Sequence, residues 1–395
     1  MNTKILEINK ITGGGKSSAR YDSFNGLRAL SAIGILLMHY LSNINADIKD
    51  YLKDYSLVYS EIIPFCTQFV FLFFIISAFS MCCGYFSRFA TERYVINPGN
   101  AEMRLSRFDT EQFYSRRYSR ILPFFALLVC IDFVMNPSMN EFYQCFADLT
   151  LAFNLLPNPQ IEVIGVGWFL GVVFLFYMIF PWFVFLCQNK KRAWLAMSVA
   201  VVFHVVCVRY FLTEEFCTPS QIGSARRNII YCFPFFMAGG LLFLYRVEIQ
   251  KIFENRNMKL LLLILSLIAT SLVFTPRSPG ILGEKVLFHL IVFVLWTIYA
   301  MTGGFCIGKT RLLDNKLMTF IGGVSMEIYL CHMVIFRVIE KIHLENYITN
   351  PHLLYWFWCL AGIIGSILFS VLVKKQLFPF LERIISKIVL RQSLS

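Results

Sequence analysis

The sequence predicts an all-α fold: a polytopic membrane protein of about ten transmembrane helices in one bundle, with both termini cytoplasmic. Three observations point there. First, the 395 residues are 57% hydrophobic and only 15% charged, whereas soluble domains carry about 25% charged residues. Second, apolar runs long enough to cross a bilayer, near 20 residues each, recur at roughly 27–43, 62–86, 118–135, 164–186, 193–212, 229–245, 259–275, 286–303, 317–337 and 354–373. Third, when the 36 Lys and Arg residues are assigned to alternate sides of those runs, 27 fall on the side holding both termini and 9 on the other. That is the positive-inside pattern, and a missed or false span would spoil it.

The segments follow in order. Residues 1–20 form a flexible cytoplasmic tail without the apolar core and small-residue site of a cleavable signal, so the run GLRALSAIGILLMHY (26–40) stays as the first span. Within the tail, TGGGKSS (12–18) resembles a phosphate-binding loop only superficially, because Lys10 stands where that motif needs its first glycine. Residues 87–117 are the most basic cytoplasmic segment. Residues 136–162 hold no Lys or Arg and include Asn136, Pro137, Pro157 and Pro159, which makes them an external loop with a short amphipathic piece around Glu141 to Phe153. The membrane domain covers 21–376, and a basic cytoplasmic segment, 377–395, closes the chain. The twelve cysteines fall mostly inside apolar runs at neither metal nor disulfide spacing, as small apolar residues do. A net charge of +12 would suggest nucleic acid in a soluble protein. Here its distribution sets orientation, and the expected surroundings are a lipid bilayer with no nucleic acid and no metal.

Ionisable groups inside a membrane are costly, so each is a candidate for function, weighed against a satisfied structural role. Arg28 and His39 are eleven residues apart in the first span. At ~100° and ~1.5 Å per residue they share a helix face to within roughly 20° and lie about 16 Å apart along the axis. They cannot touch, but they can line one wall of a cavity. In the ninth span His332 lies at a depth similar to that of His39, so the two can share a layer. Ser325, Tyr329 and His332 fall at i, i+4 and i+7 on one face, while Glu327 is ~140° around the axis from His332 and points toward another helix contact. For His39 and His332 the catalytic reading and that of interhelical hydrogen-bond partners both stand. His204 and His289 are isolated and read as structural.

Arg116, Arg117 and Arg120 precede Pro123 at the cytoplasmic start of the third span. They read either as a topology anchor among headgroup phosphates or as a phosphate clamp in which Arg117 and Arg120 face one ligand. Trp168 and Tyr177 read as interfacial or packing aromatics.

Together these residues resemble the acyltransferase 3 family of integral-membrane O-acyltransferases. YDSFNGLRALSAIGILLMHY (21–40) carries the family's arginine, ten residues, histidine signature as Arg28 and His39. FLFFIISAFSMCCGY is similar to its second span, with Ala78 where glycine is common. RRYSRILP (116–123), GWFLGVVFLFYMIFP (167–181) and SMEIYLCH (325–332) follow in the family's order. Two departures stand out. The acidic residue that some members carry in the fourth span is missing from Gly171 to Phe176, and the esterase-like domain fused to some members is not expected after the tenth span.

The resemblance implies transfer of an acyl group, most simply acetyl, from acyl-CoA to a hydroxyl of a cell-surface or secreted polysaccharide or its lipid-linked precursor. It implies a bacterial inner or plasma membrane location and polysaccharide-assembly proteins as partners. On that reading Arg28, Arg117 and Arg120 hold the donor's phosphates. His39 is the general base or takes the acyl group covalently, and Glu327 and His332 orient or polarise. The rival from another class is a transporter or flippase for a polar metabolite or lipid-linked sugar, because midplane charges also mark substrate pathways.

Overall fold

The computed structural model describes residues 21–380 apart from 91–93, 97–102, 106–109, 136, 152, 156–164, 219–225, 276–277, 304–305, 308–309 and 312. The predicted tail 1–20, with its glycine-rich stretch, and residues 381–395 of the predicted C-terminal segment lie outside the described residues. The protein is all-α and polytopic. Its only described strands form two short antiparallel ladders, Tyr94–Ile96 with Met103–Leu105 and Cys306–Ile307 with Thr310–Arg311.

Among the described residues, six helices are long and apolar enough to cross a membrane: α1 (Ser23–Asn43), α3 (Val58–Phe86), α4 (Glu111–Met135), α8 (Lys190–Phe211), α11 (Arg256–Val273) and α15 (Pro351–Phe380). Three bent pairs of helices pass the same test when each is taken as one span. Helix α6 (Trp168–Met178) meets α7 (Phe180–Cys187) at 61°, α9 (Ile229–Leu244) meets α10 (Arg246–Ile252) at 67°, and α13 (Lys316–Gly323) meets α14 (Ser325–Glu340) at 69°. The ten predicted runs fall on these six helices, the three bent pairs and α12 (Lys285–Met301), which at 17 residues is too short to count with them, so the described residues hold six to nine candidate spans. The first break has a plain cause. Pro181 sits in the first turn of α7, where its missing N–H is harmless, and continuing α6 straight through would press its ring onto the carbonyl of Tyr177.

Asparagine starts six of the described helices. The side chains of Asn45, Asn189, Asn228, Asn255, Asn315 and Asn350 each accept a backbone N–H from the first turn that follows. Each satisfies a donor that would otherwise lack an intrahelical partner. Ser138 does the same for α5 (Met139–Leu149), an amphipathic helix in the segment expected to be an external loop.

The described residues pack into two units. The smaller comprises, of the described residues, 25–69 and 315–380, so it holds most of α1, the short α2 (Ala46–Tyr55), the start of α3, and α13 to α15. Its close contacts rest on small residues. On α15, Gly362, Ser366 and Ser370 recur every four residues. A Cβ at Gly362 would lie 2.3 Å from the Tyr40 ring, and both serines are fully buried. In a lipid environment such a small-residue stripe is what lets helices approach closely. Gly322 packs on the backbone of α1, with its Cβ direction 2.2 Å from the Asn25 carbonyl oxygen.

The larger unit holds the rest of α3 and runs through α12. Stacked aromatic rings fill it: Phe71 on Phe235 at 4.4 Å and Phe176 on Phe236 at 4.1 Å. Gly239 admits the backbone of Ile75 at 2.3 Å from its Cβ direction. His204 is buried with its Nδ1 2.8 Å from the Tyr231 carbonyl oxygen, a packing arrangement, and His289 is buried on α12.

Candidate active site

Within the smaller unit α1 and α14 bring His39 and His332 together, with ring centroids 5.1 Å apart and planes tilted by 56°. His39 is half-buried and His332 fully buried. Because α1 is unbroken from Ser23 to Asn43, Arg28 stays on the same helix about three turns before His39. Its guanidinium Nη1 donates to Asn25 Oδ1 at 3.4 Å.

The layer is held from several directions. The Tyr40 hydroxyl donates to the backbone carbonyl of His332 at 3.0 Å, pinning the two histidine-bearing helices at the depth of the pair. The Tyr355 hydroxyl, on α15, donates to the Leu37 carbonyl at 3.0 Å. His332 Nδ1 lies 3.3 Å from the Ile328 carbonyl one turn earlier, so in the neutral ring that nitrogen carries the proton. Its Nε2 is then a buried lone pair with no hydrogen-bond partner among the described residues. A buried polar atom left in this state is uncommon and marks a place where a proton or polar group can be received. Ser325 and Tyr329, on the same face as His332, are both buried; the serine hydroxyl donates to the Gly322 carbonyl at 2.8 Å and helps shape the bend into α14.

Glu327 is 3% exposed and paired with Lys374 Nζ. Lys374 lies in a π-helical turn, Val373–Leu377, near the end of α15. The helix contact toward which Glu327 was expected to point is therefore α15, and its partner is a cation 47 residues further along the chain. Together with Tyr40 and Tyr355, Lys374 is what residue spacing alone does not reveal. The available signals were weak: a tyrosine adjoining the signature histidine, and a buried acid in need of a cation.

In the larger unit, Arg117 on α4 is enclosed by aromatic rings. Its guanidinium carbon is 4.9 Å from the Tyr85 ring centroid, 5.4 Å from Tyr177 and 5.7 Å from Phe113. Cation–π attraction of this kind holds a guanidinium in place without neutralising it. Its Nε is buried and has no hydrogen-bond partner among the described residues. Arg116 and Arg120 are exposed on the same helix. Tyr177, expected to be a packing aromatic, is one wall of this cage. Trp168 lies under the Arg227 guanidinium at 5.6 Å.

Two neighbouring histidines, one of them fully buried, thus lie on helices of a chain rich in apolar segments long enough to cross a membrane. The family model described as "Acyltransferase domain" matches residues 21–374, most of the chain, and the protein belongs to the acyltransferase 3 family. No curated protein and no solved structure matches it.

Proposed function

We propose that the protein transfers an acyl group, most simply acetyl, from acyl-CoA to a hydroxyl of a cell-surface or secreted polysaccharide or its lipid-linked precursor, in a bacterial inner or plasma membrane. The observation that carries this reading is the pairing of His39 with His332 in a chain of an acyltransferase family. His39, the more accessible of the two, takes the proton of the acceptor hydroxyl as its oxygen attacks the thioester carbonyl. The C–S bond breaks, the ester forms, and the proton passes from His39 to the departing thiolate, so that free CoA leaves as the thiol. A two-step path, with the acyl group first on the His39 nitrogen, balances equally. His332, with Nδ1–H committed to Ile328, packs beside the His39 ring and orients it by that contact, keeping its Nε2 lone pair to receive a proton or polar group. Glu327, through Lys374, fixes the helix that carries His332. Arg117 and Arg120 are the candidate holders of the donor's phosphates, which a guanidinium fork suits, and Arg28 is a third candidate.

The test compares cell glycans with and without this gene. Loss of base-labile esters from an otherwise unchanged glycan, restored by the intact chain and not by His39→Ala, is the expected result. Under the transporter or flippase reading the glycan itself is lost or diminished, and that result would set the transferase reading aside.

A further inference from the structure

A groove of about 440 Å³ opens in the larger unit, lined by α7, α8 and α9 with Ile179. Its walls are Trp182, Leu195, Val199, Phe203 and Phe233, and the one charged group among its lining residues is Arg192. Trp182, Leu195, Val199 and Phe203 are each more than 40% exposed. Only 11% of the apolar window of α8 is buried, so in a membrane this face meets lipid tails rather than water or protein. Arg192 and Phe203 are eleven residues apart on one helix, about 16 Å, roughly half of a ~30 Å hydrocarbon core. The groove is thus long and apolar, it fits within one leaflet, and it carries a single cation at one end.

The cation is set in place for an anion. The Arg192 guanidinium lies 3.9 Å over the Phe185 ring, donates Nε–H to the Leu186 carbonyl at 3.4 Å, and donates from Nη2 to Gln188 Oε1 at 3.3 Å. Two of its five donors are committed, and among the described residues no carboxylate pairs with it. Lys190, its neighbour, is taken by Glu248. The start of α8, capped by Asn189, adds the positive end of a helix dipole at the same level. We propose that the groove holds one acyl tail of an anionic phospholipid of the surrounding bilayer, with the lipid phosphate on Arg192. A zwitterionic lipid such as phosphatidylcholine offers the same phosphate but carries its own ammonium beside it, so its headgroup brings no net negative charge to that guanidinium.

The intact protein, in nanodiscs doped with phosphatidylglycerol or phosphatidylcholine carrying a diazirine in mid-tail, tests this by photolabelling and mass-spectrometric mapping. Phosphatidylglycerol should label the α7 to α9 residues about fivefold more than phosphatidylcholine, the preference expected of one basic group near the headgroups. Arg192→Ala should bring the ratio to about one, with Arg192→Lys retaining most of it. Ala196→Trp, which fills the groove from α8, should reduce labelling by both lipids while the thermal unfolding temperature stays close to that of the parent. Equal labelling by the two lipids in the intact chain, insensitivity to Ala196→Trp, or labelling no denser than on the outward face of α11 at Leu261, Leu265 and Ile268 would each overturn the proposal.

Discussion

Removing Lys374 should cost more than removing the acid it pairs with. Glu327 is 4% exposed at the side chain and Lys374 39%. In Lys374→Met the carboxylate is left buried without its cation, a loss of about 3–5 kcal/mol for a broken buried pair. The lower end applies, because water near the exposed ammonium position can partly replace it. In Glu327→Gln the lysine that remains is already partly solvated, and the loss is about 1 kcal/mol, that of a single hydrogen bond. The double variant, with no buried charge, should lie close to Glu327→Gln, giving a coupling energy of about 2–3 kcal/mol. For 395 residues the unfolding entropy is of order 0.8 kcal/mol/K, so 3 kcal/mol lowers the midpoint by roughly 4 °C. The free cysteines of the described residues, most of them buried, make a thiol-reactive dye a suitable reporter of unfolding in detergent. If Lys374→Met is no worse than Glu327→Gln, or the two losses simply add, the pair does not hold α14 to α15 and the reasoning fails.

Other outcomes follow from the same structure. Gly362→Ala should destabilise by about 1–3 kcal/mol by pushing its methyl group into the Tyr40 ring, and adding Tyr40→Ala should recover part of the loss; a cysteine-dye melt at the parent temperature for Gly362→Ala would contradict that contact. Arg117→Lys keeps the charge but loses the planar group in the aromatic cage, so KM for acetyl-CoA should rise about tenfold with little change in kcat, and steady-state kinetics with an unchanged KM would remove Arg117 from donor binding. On α5, burial first and then the nearby Asp132 and Glu141 push the Asp148 carboxyl up to about 7. An acid whose folded pKa is raised holds its proton more tightly when folded, so this contribution is fully present below about 4 and is lost as pH rises through about 7. Melts between pH 5 and 8 should therefore fall with pH in the intact chain and flatten in Asp148→Asn; identical slopes would deny Asp148 that role.

The spans were legible because bilayer crossing depends on length and apolar content, which residues such as Val58–Phe86 carry without reference to their neighbours. Their bends were not, since a hydropathy window has no direction. Pro181 signals one break, but the 67° turn at Tyr245 and the 69° turn at Val324 come without proline. At the candidate site, equal depth along two helices anticipated that His39 and His332 share a layer, because helical rise is the same everywhere. What holds the layer depends on contacts far apart in sequence. Nothing in spacing links Glu327 to Lys374, or Tyr355 to the carbonyl of Leu37. Arg117 was visible as a cation, but the rings around it come from three separate helices.

The central claim is tested most directly by following labelled acetyl from acetyl-CoA in membranes containing the intact chain and an acceptor glycan. Label should appear in base-labile ester on the glycan, fall at least about 100-fold with His39→Ala, and mostly persist in Tyr40→Phe, which loses only a hydrogen bond to the His332 backbone. Failure of the intact chain to transfer label, or transfer undiminished by His39→Ala, would contradict the claim.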